Sequence, residues 1–446
     1  MLQTIRNAWK IEELRAKMIF TLLILVIFRL GNAIPVPYID IAMLSVTFQQ
    51  METTVLGLFN TMSGGAFSQA TIFALSIQPY ITASIVMQLL AVAIPALERL
   101  QKEGGEEGRK LIEKITRYGT VGLGLVMGFA YFLMLRNWGL LVEDGQGFWA
   151  GLIIVLTFTA GSALVMWLGE QITEFGIGNG ISILLFAGIV ARFPVSISNM
   201  ITGAWTSITA WRTGIPAHEE ALVIAPWIIP VALVGALAMI VLIVLITNSE
   251  RKIPVQYAKR VVGRKMYGGQ SSHLPVKLNM SGVMPIIFAQ ALASLPATIA
   301  VFLNPAEGTV LRWIANFFDM SGLPFFIIYT LLIVFFSYFY AQIQFNPIEI
   351  SNNLKKNGGY IPGFRPGKPT SDYIQKVLSK VTLFGAIFLA VVAGAPMLIS
   401  MFSLQMRMTG VALGGTSVLI AVGVALETVQ GLESQMLMRH YKGFLE

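Results

Sequence analysis

The sequence predicts an all-α integral membrane protein with ten transmembrane helices arranged as two inverted five-helix halves. Three observations carry that expectation. Of 446 residues, 55% are hydrophobic and only 12% charged, against about 25% charged in a soluble domain, and the mean hydropathy is +0.71. Ten apolar stretches approach the roughly 20 residues that a helix needs to cross a bilayer core. Lys and Arg also alternate from loop to loop. This composition excludes an ordinary soluble enzyme. With Cys at 0, thiol catalysis, thiolate metal sites and a disulfide scaffold are excluded as well. The 3 His (His218, His273, His440) sit in polar stretches and leave little for an imidazole metal site.

The spans fall at 18–35, 71–94, 116–136, 148–169, 181–201, 221–247, 282–303, 324–343, 377–400 and 411–431. Residues 1–17 form a cytoplasmic amphipathic segment ahead of them. The first span is no cleaved signal peptide: its leader carries Glu12 and Glu13, and the chain continues into Pro35-Val36-Pro37 instead of a small-residue cleavage site. Residues 53–68 are apolar, too short to cross, and end in Gly64-Gly65. They fit a re-entrant helix at about 55–67 or an interfacial helix on the outer surface equally well. The second span holds Gln78, Pro79, Tyr80, Thr82 and Gln88, too polar for a lipid surroundings, so it lines an interior. The seventh, with Met284-Pro285 and Gln290, is similar, whereas the fourth, sixth and eighth are nearly continuous apolar runs suited to lipid. Residues 432–446 are a cytoplasmic C-terminal tail.

The halves are 18–201 and 202–431. Gln78-Pro79-Tyr80-Ile81 and Met284-Pro285-Ile286-Ile287 stand in the second span of each half. Gly178-Asn179-Gly180-Ile181-Ser182 and Gly414-Gly415-Thr416-Ser417 open the fifth. Matching irregular helices suggest an inverted repeat with the working site between the halves. Prolines and glycines are also common in membrane helices generally, so spacing alone leaves a chance likeness open. If the N-terminus and every second loop share a side, that side holds 25 of the 31 Lys and Arg, and the other holds Arg136, Arg192, Arg212, Arg312 and Arg407. By the positive-inside rule both termini are cytoplasmic.

Catalytic patterns are missing. The chain has no H-E-x-x-H, no nucleotide-binding G-x-x-x-x-G-K-[ST] and no G-x-S-x-G elbow. Carboxylates sit mostly at span ends (Glu98, Glu170, Glu174, Glu250, Glu427), whereas an ion-coupled carrier keeps ionisable groups in its path. Arg29, the main intramembrane candidate, is close enough to the outer end to snorkel. A secondary transporter would need a mid-depth pocket of convergent polar groups, and an intramembrane protease a Ser/His or paired-Asp arrangement. The sequence supplies an aliphatic cluster instead. The unusual features are two long basic loops, 248–281 and 344–376, in which Pro, Gly and aromatic residues surround single arginines. Such loops suit docking of an acidic or nucleic-acid-bearing partner.

Along essentially its whole length the chain resembles the SecY family, the central subunits of the bacterial protein-translocation channel. The resemblance is carried by Ile34-Pro35-Val36-Pro37, Pro79 to Ile85 (PYITASI), Glu103 to Arg109 (EGGEEGR), Gly176 to Ser182 (GIGNGIS), Ile253 to Arg260 (IPVQYAKR), His273-Leu274-Pro275, Gly363 to Gly367 (GFRPG) and Gly414 to Ser417. It implies a central pore closed at mid-membrane by an aliphatic ring of Ile77, Ile81, Ile181, Leu185, Ile287 and Ile420. Aliphatic groups offer ions nothing to bind and can dewet. It implies a plug at 55–67, here Leu56, Gly57, Leu58, Phe59, Asn60, Met62, Gly64 and Gly65. A lateral gate between the second and seventh spans is implied too, with Thr82, Gln88, Gln290 and Ser294, and with Gln88 and Gln290 as polar contacts across it. The docking surface for the ATPase SecA and for ribosomes would use Arg251, Arg260, Arg264, Lys265 and, for SecA coupling, Arg365. The family more often has Arg-Arg where Arg251-Lys252 stands, and the two side chains are not interchangeable. Further implied partners are SecE, SecG, precursors with signal sequences and the lipid bilayer. The implied location is the bacterial plasma membrane, with no cofactor and no enzymatic activity in the chain.

Overall fold

The computed structural model describes residues 2–50, 54–213, 228–257, 260–262, 265–267, 271–280, 282–303, 309–320, 322–402 and 411–442. The helices are α1 (Leu2–Lys10), α2 (Glu12–Gly31), α3 (Ile41–Gln50), α4 (Val55–Met62), α5 (Gln78–Ala93), α6 (Pro95–Glu103), α7 (Gly105–Asn137), α8 (Phe148–Phe175) and α9 (Gly180–Thr213). They continue with α10 (Ile228–Thr247), α11 (Met284–Leu303), α12 (Val310–Phe317), α13 (Leu323–Gln344), α14 (Pro347–Lys356), α15 (Lys368–Phe402) and α16 (Val411–Lys442). Among the described residues, seven helices are long and apolar enough to cross a membrane: α7, α8, α9, α11, α13, α15 and α16. Helices α2, α5 and α10 lie under the other three predicted spans.

Several helices outrun their apolar stretches. Helix α7 begins at Gly105 and α8 runs on to Phe175. Helix α16 continues to Lys442, through most of the segment expected as a separate tail, and α9 crosses the expected boundary at 201. Polar residues continue a helix as readily as apolar ones, so hydropathy registers only the part a bilayer would cover.

Helix α5 departs the other way. A span was expected over 71–94, yet the helix starts at Gln78 and has 16 residues, about 24 Å at the usual rise. Pro79 sits in its first turn, where its missing N–H costs nothing. Just before it, Ser76 takes a positive φ of 48°. Residues 63–77 form turns instead and carry the chain from α4 to α5.

The two basic loops, separate in sequence, fold as one unit. Strand β1 (Glu250–Tyr257) pairs antiparallel with β4 (Ser271–Lys277), and β2 (Arg260–Val262) with β3 (Lys265–Tyr267). From the second loop, β5 (Gly359–Tyr360) adds to the free edge of β1. The strand period of two puts Ile253 and Val255 inside, against Val276, Ile361, Ile374 and Leu378, while Arg251 and Lys252, at the start of β1, are exposed. The Tyr360 hydroxyl donates to Gln256 Oε1 at 2.9 Å across the join.

Candidate functional site

Helix α4 is eight residues long, about 12 Å, and cannot cross a bilayer. Thr54 starts it: its side chain accepts from the Leu56 N–H. Leu56, Leu58, Phe59, Asn60 and Met62 are all buried, so the segment is tucked inside and is not an interfacial helix on the surface. It packs against α9, α11 and α16.

The turn after α4 is pinned from four sides. Asn60 Oδ1 accepts the Ser68 N–H at 3.0 Å, which gives a buried amide a partner. Asn32 Nδ2 donates to the Ser63 carbonyl at 3.1 Å, and Arg29 reaches the Gly64 carbonyl at 3.4 Å. Arg29 therefore turns to the segment itself. The Tyr131 hydroxyl donates to the Phe67 carbonyl at 2.7 Å while the two rings stack at 4.5 Å. Gly64 and Gly65 take φ of +71° and +94°, which only glycine adopts freely. Opposite them, α9 offers Gly188, where a Cβ would run into the Met62 carbonyl. Asn32, Tyr131 and Gly188 carry no local sequence signal that would have singled them out.

Ile77, Ile81, Leu185, Ile287 and Ile420 are all nearly inaccessible, at 1–4% exposure, within one continuous apolar core, and Ile181 packs against its margin. Ile81 N–H donates to the Ile77 carbonyl, so these two stand one above the other on one face of α5. Ile77 and Ile181 both border Gly169 of α8: a Cβ there would lie 3.6 Å from each. Ile77 and Leu185 line a cavity together with Phe59, Met62 and Phe67. Its volume of about 10 Å³ leaves room for one water at most.

Helices α5 and α11 are in contact. Thr82 and Ser294 are buried and bond back to their own helices, to the Gln78 carbonyl at 3.1 Å and the Ala291 carbonyl at 3.1 Å. Gln88 bonds to α13, and not to Gln290 on α11. Its Oε1 accepts the Tyr340 hydroxyl of α13, and its Nε2 donates to Ser84 at 3.1 Å. Gln290 is 3% exposed, and neither polar atom of its side chain has a partner. The Tyr340 ring lies tilted against Phe288 of α11 at 5.3 Å. It is a contact residue that sequence reading missed.

At the basic end, Arg251 projects from β1 and Arg260 and Lys265 belong to the β2–β3 hairpin. Arg264 lies outside the described residues. Lys252 pairs with Glu250 at 3.3 Å. Arg365 is exposed on a braced turn. Thr370 Oγ1 donates to its carbonyl, and Ser351 Oγ to the Gly367 carbonyl, each at 2.8 Å. Phe364 stacks on Tyr373 at 4.2 Å.

A family model described as SecY matches residues 71–429. The chain is 42% identical over 453 residues to the protein translocase subunit SecY of Thermotoga maritima, covering 100% of this chain and 98% of the relative. It is 44% identical over 450 residues to that of Bacillus subtilis, covering 100% of both. Among solved structures it resembles "The structure of a protein conducting channel" with TM-score 0.62 at 17% identity, covering 95% of this chain and 92% of the other. It also resembles Sec61 in the canine ribosome-channel complex, with TM-score 0.59 at 17% identity and coverages of 95% and 92%.

Proposed function

The chain belongs to the SecY family, and from that premise we propose that it is the protein-conducting channel of a bacterial plasma-membrane translocase. It passes unfolded secretory polypeptides across the bilayer and releases signal sequences and transmembrane segments sideways into lipid. The chain is a multi-pass membrane protein; in this reading ten helices cross, in two inverted halves of five, with both termini cytoplasmic. The energy comes from a separate motor, SecA or the ribosome, because this chain's own work is to open and close.

Ile77, Ile81, Ile181, Leu185, Ile287 and Ile420 form the constriction. Their side chains deform around a passing polypeptide of any composition and close behind it, while withholding ligands from ions. Helix α4 is the plug beneath them. The observation that carries the reading is the seat of α4: a short buried helix, held by hydrogen bonds at its C-terminal turn, where α9, α11 and α16 converge. Helices α5 and α11 part to form the lateral gate. Gln290, buried and unsatisfied when they touch, supports this, since a buried amide without partners costs about 1–3 kcal/mol and favours an arrangement that satisfies it.

The basic sheet unit and the Arg365 turn form the docking face for SecA and ribosomes; the likeness to a ribosome-bound channel supports this. SecE clamps the two halves and SecG accompanies them. The test is to crosslink a stalled secretory precursor to a photoreactive probe at position 287. A strong adduct that depends on the signal sequence is expected. An adduct no stronger than from a lipid-facing probe at Phe384 would overturn the assignment.

A further inference from the structure

Glu427 and Gln430 stand one turn apart on α16 and bond to three places 144 to 182 positions away in sequence. Glu427 Oε1 accepts the Val283 N–H at 3.1 Å. Helix α11 starts at Met284, and a helix start leaves amides without partners inside the helix. Here a carboxylate from another helix supplies one. Gly282, at φ +61°, makes room for it, because a Cβ there would strike the carboxylate. Gln430 Oε1 accepts Lys277 Nζ at 2.9 Å, and its Nε2 donates to Asn248 Oδ1 at 3.2 Å. Asn248 precedes β1 and Lys277 ends β4. One glutamine thus holds both feet of the basic hairpin, and the glutamate a turn away holds the start of the gate helix.

We propose that Glu427 and Gln430 are positioning residues that carry a displacement of the docking hairpin into α11. The proposal rests on the reading of the hairpin as docking face and α11 as gate. A load on the hairpin moves its feet. The feet are bonded to α16, so the load passes to a rigid helix. The same helix presents Glu427 to α11 through a charge-assisted bond, the stronger and more directional kind. Ile420 lies seven residues before Glu427, on the same face of α16, so a shift that tugs α11 also disturbs the constriction.

The native chain has no cysteine, so one cysteine placed on α5 and one on α11 report the gate by their crosslinking yield, with and without SecA. In Glu427→Gln and Gln430→Leu, SecA affinity stays within about twofold of the parent, while the SecA-induced change in yield falls by more than half. Lys277→Met, which removes the Gln430 contact from the hairpin side, gives the same loss and serves if Glu427→Gln fails to assemble. A full response in Gln430→Leu and Lys277→Met would overturn the relay. So would a matching loss of SecA affinity, because the residues would then belong to the docking face. A parent that shows no SecA response at all would sink the docking-and-gate reading itself, and the relay with it.

Discussion

Ile81 and Ile287 bring no chemistry to the site beyond bulk and dryness, and that makes them testable. An amide in their place gives water and ions a hydrogen-bonding partner in the proposed constriction and loses apolar burial, where an unsatisfied group costs about 1–3 kcal/mol. Ile81→Asn or Ile287→Asn therefore raises ion conductance and exports precursors with defective signal sequences several-fold better than the parent, measured in planar bilayers and by export assays. Tyr340→Phe removes the hydroxyl by which α13 bonds Gln88 of α5. Losing about 1 kcal/mol shifts the open fraction by about fivefold, read by crosslinking between α5 and α11. Arg365→Glu inverts a charge on a turn whose shape is held by Thr370 and Ser351. Transport driven by SecA falls while the chain still inserts into the membrane; unchanged transport would remove Arg365 from the coupling.

The short α4 depends on elements far from it in sequence, and its seat is where substitution acts at this scale. Gly188→Val drives a side chain into the Met62 carbonyl. The plug is expected to leave its seat, so resting conductance rises while polypeptide transport persists. Parent-like conductance would show that the plug does not seal. What the sequence revealed of this region was its apolarity and Gly64-Gly65, enough for a short non-crossing helix. Choosing between a tucked and a surface helix needed Asn32, Tyr131 and Gly188, whose partners lie 31, 64 and more than a hundred positions away. The late start of α5 at Gln78-Pro79 was open to view in the proline, but hydropathy counted the apolar turn residues before it as helix. In the basic loops, alternation at Ile253 and Val255 is a strand signal, yet the third strand comes from Gly359-Tyr360, beyond the reach of any local pattern.

At the scale of the whole molecule, charge sets orientation. In the proposed ten-span topology 25 Lys and Arg fall on one side and 5 on the other, and the positive-inside rule would put the basic unit in the cytoplasm. Single cysteines at Lys356, on exposed α14, and at Asp144, in the turn before α8, should label from opposite sides. In intact cells an impermeant maleimide labels Asp144→Cys and spares Lys356→Cys; the reverse would invert the proposed topology. The sequence by itself determined the membrane class, the apolar segments, their orientation preference and the family, because each is written in composition, charge asymmetry and contiguous motifs. Only the tertiary structure decided that Gln88 meets Tyr340 and not Gln290, that α4 is buried, that two basic loops share one sheet, and that α16 joins the hairpin's feet to α11. Those contacts pair residues on different helices, and a one-dimensional pattern fixes which face a helix buries without fixing what lies against it.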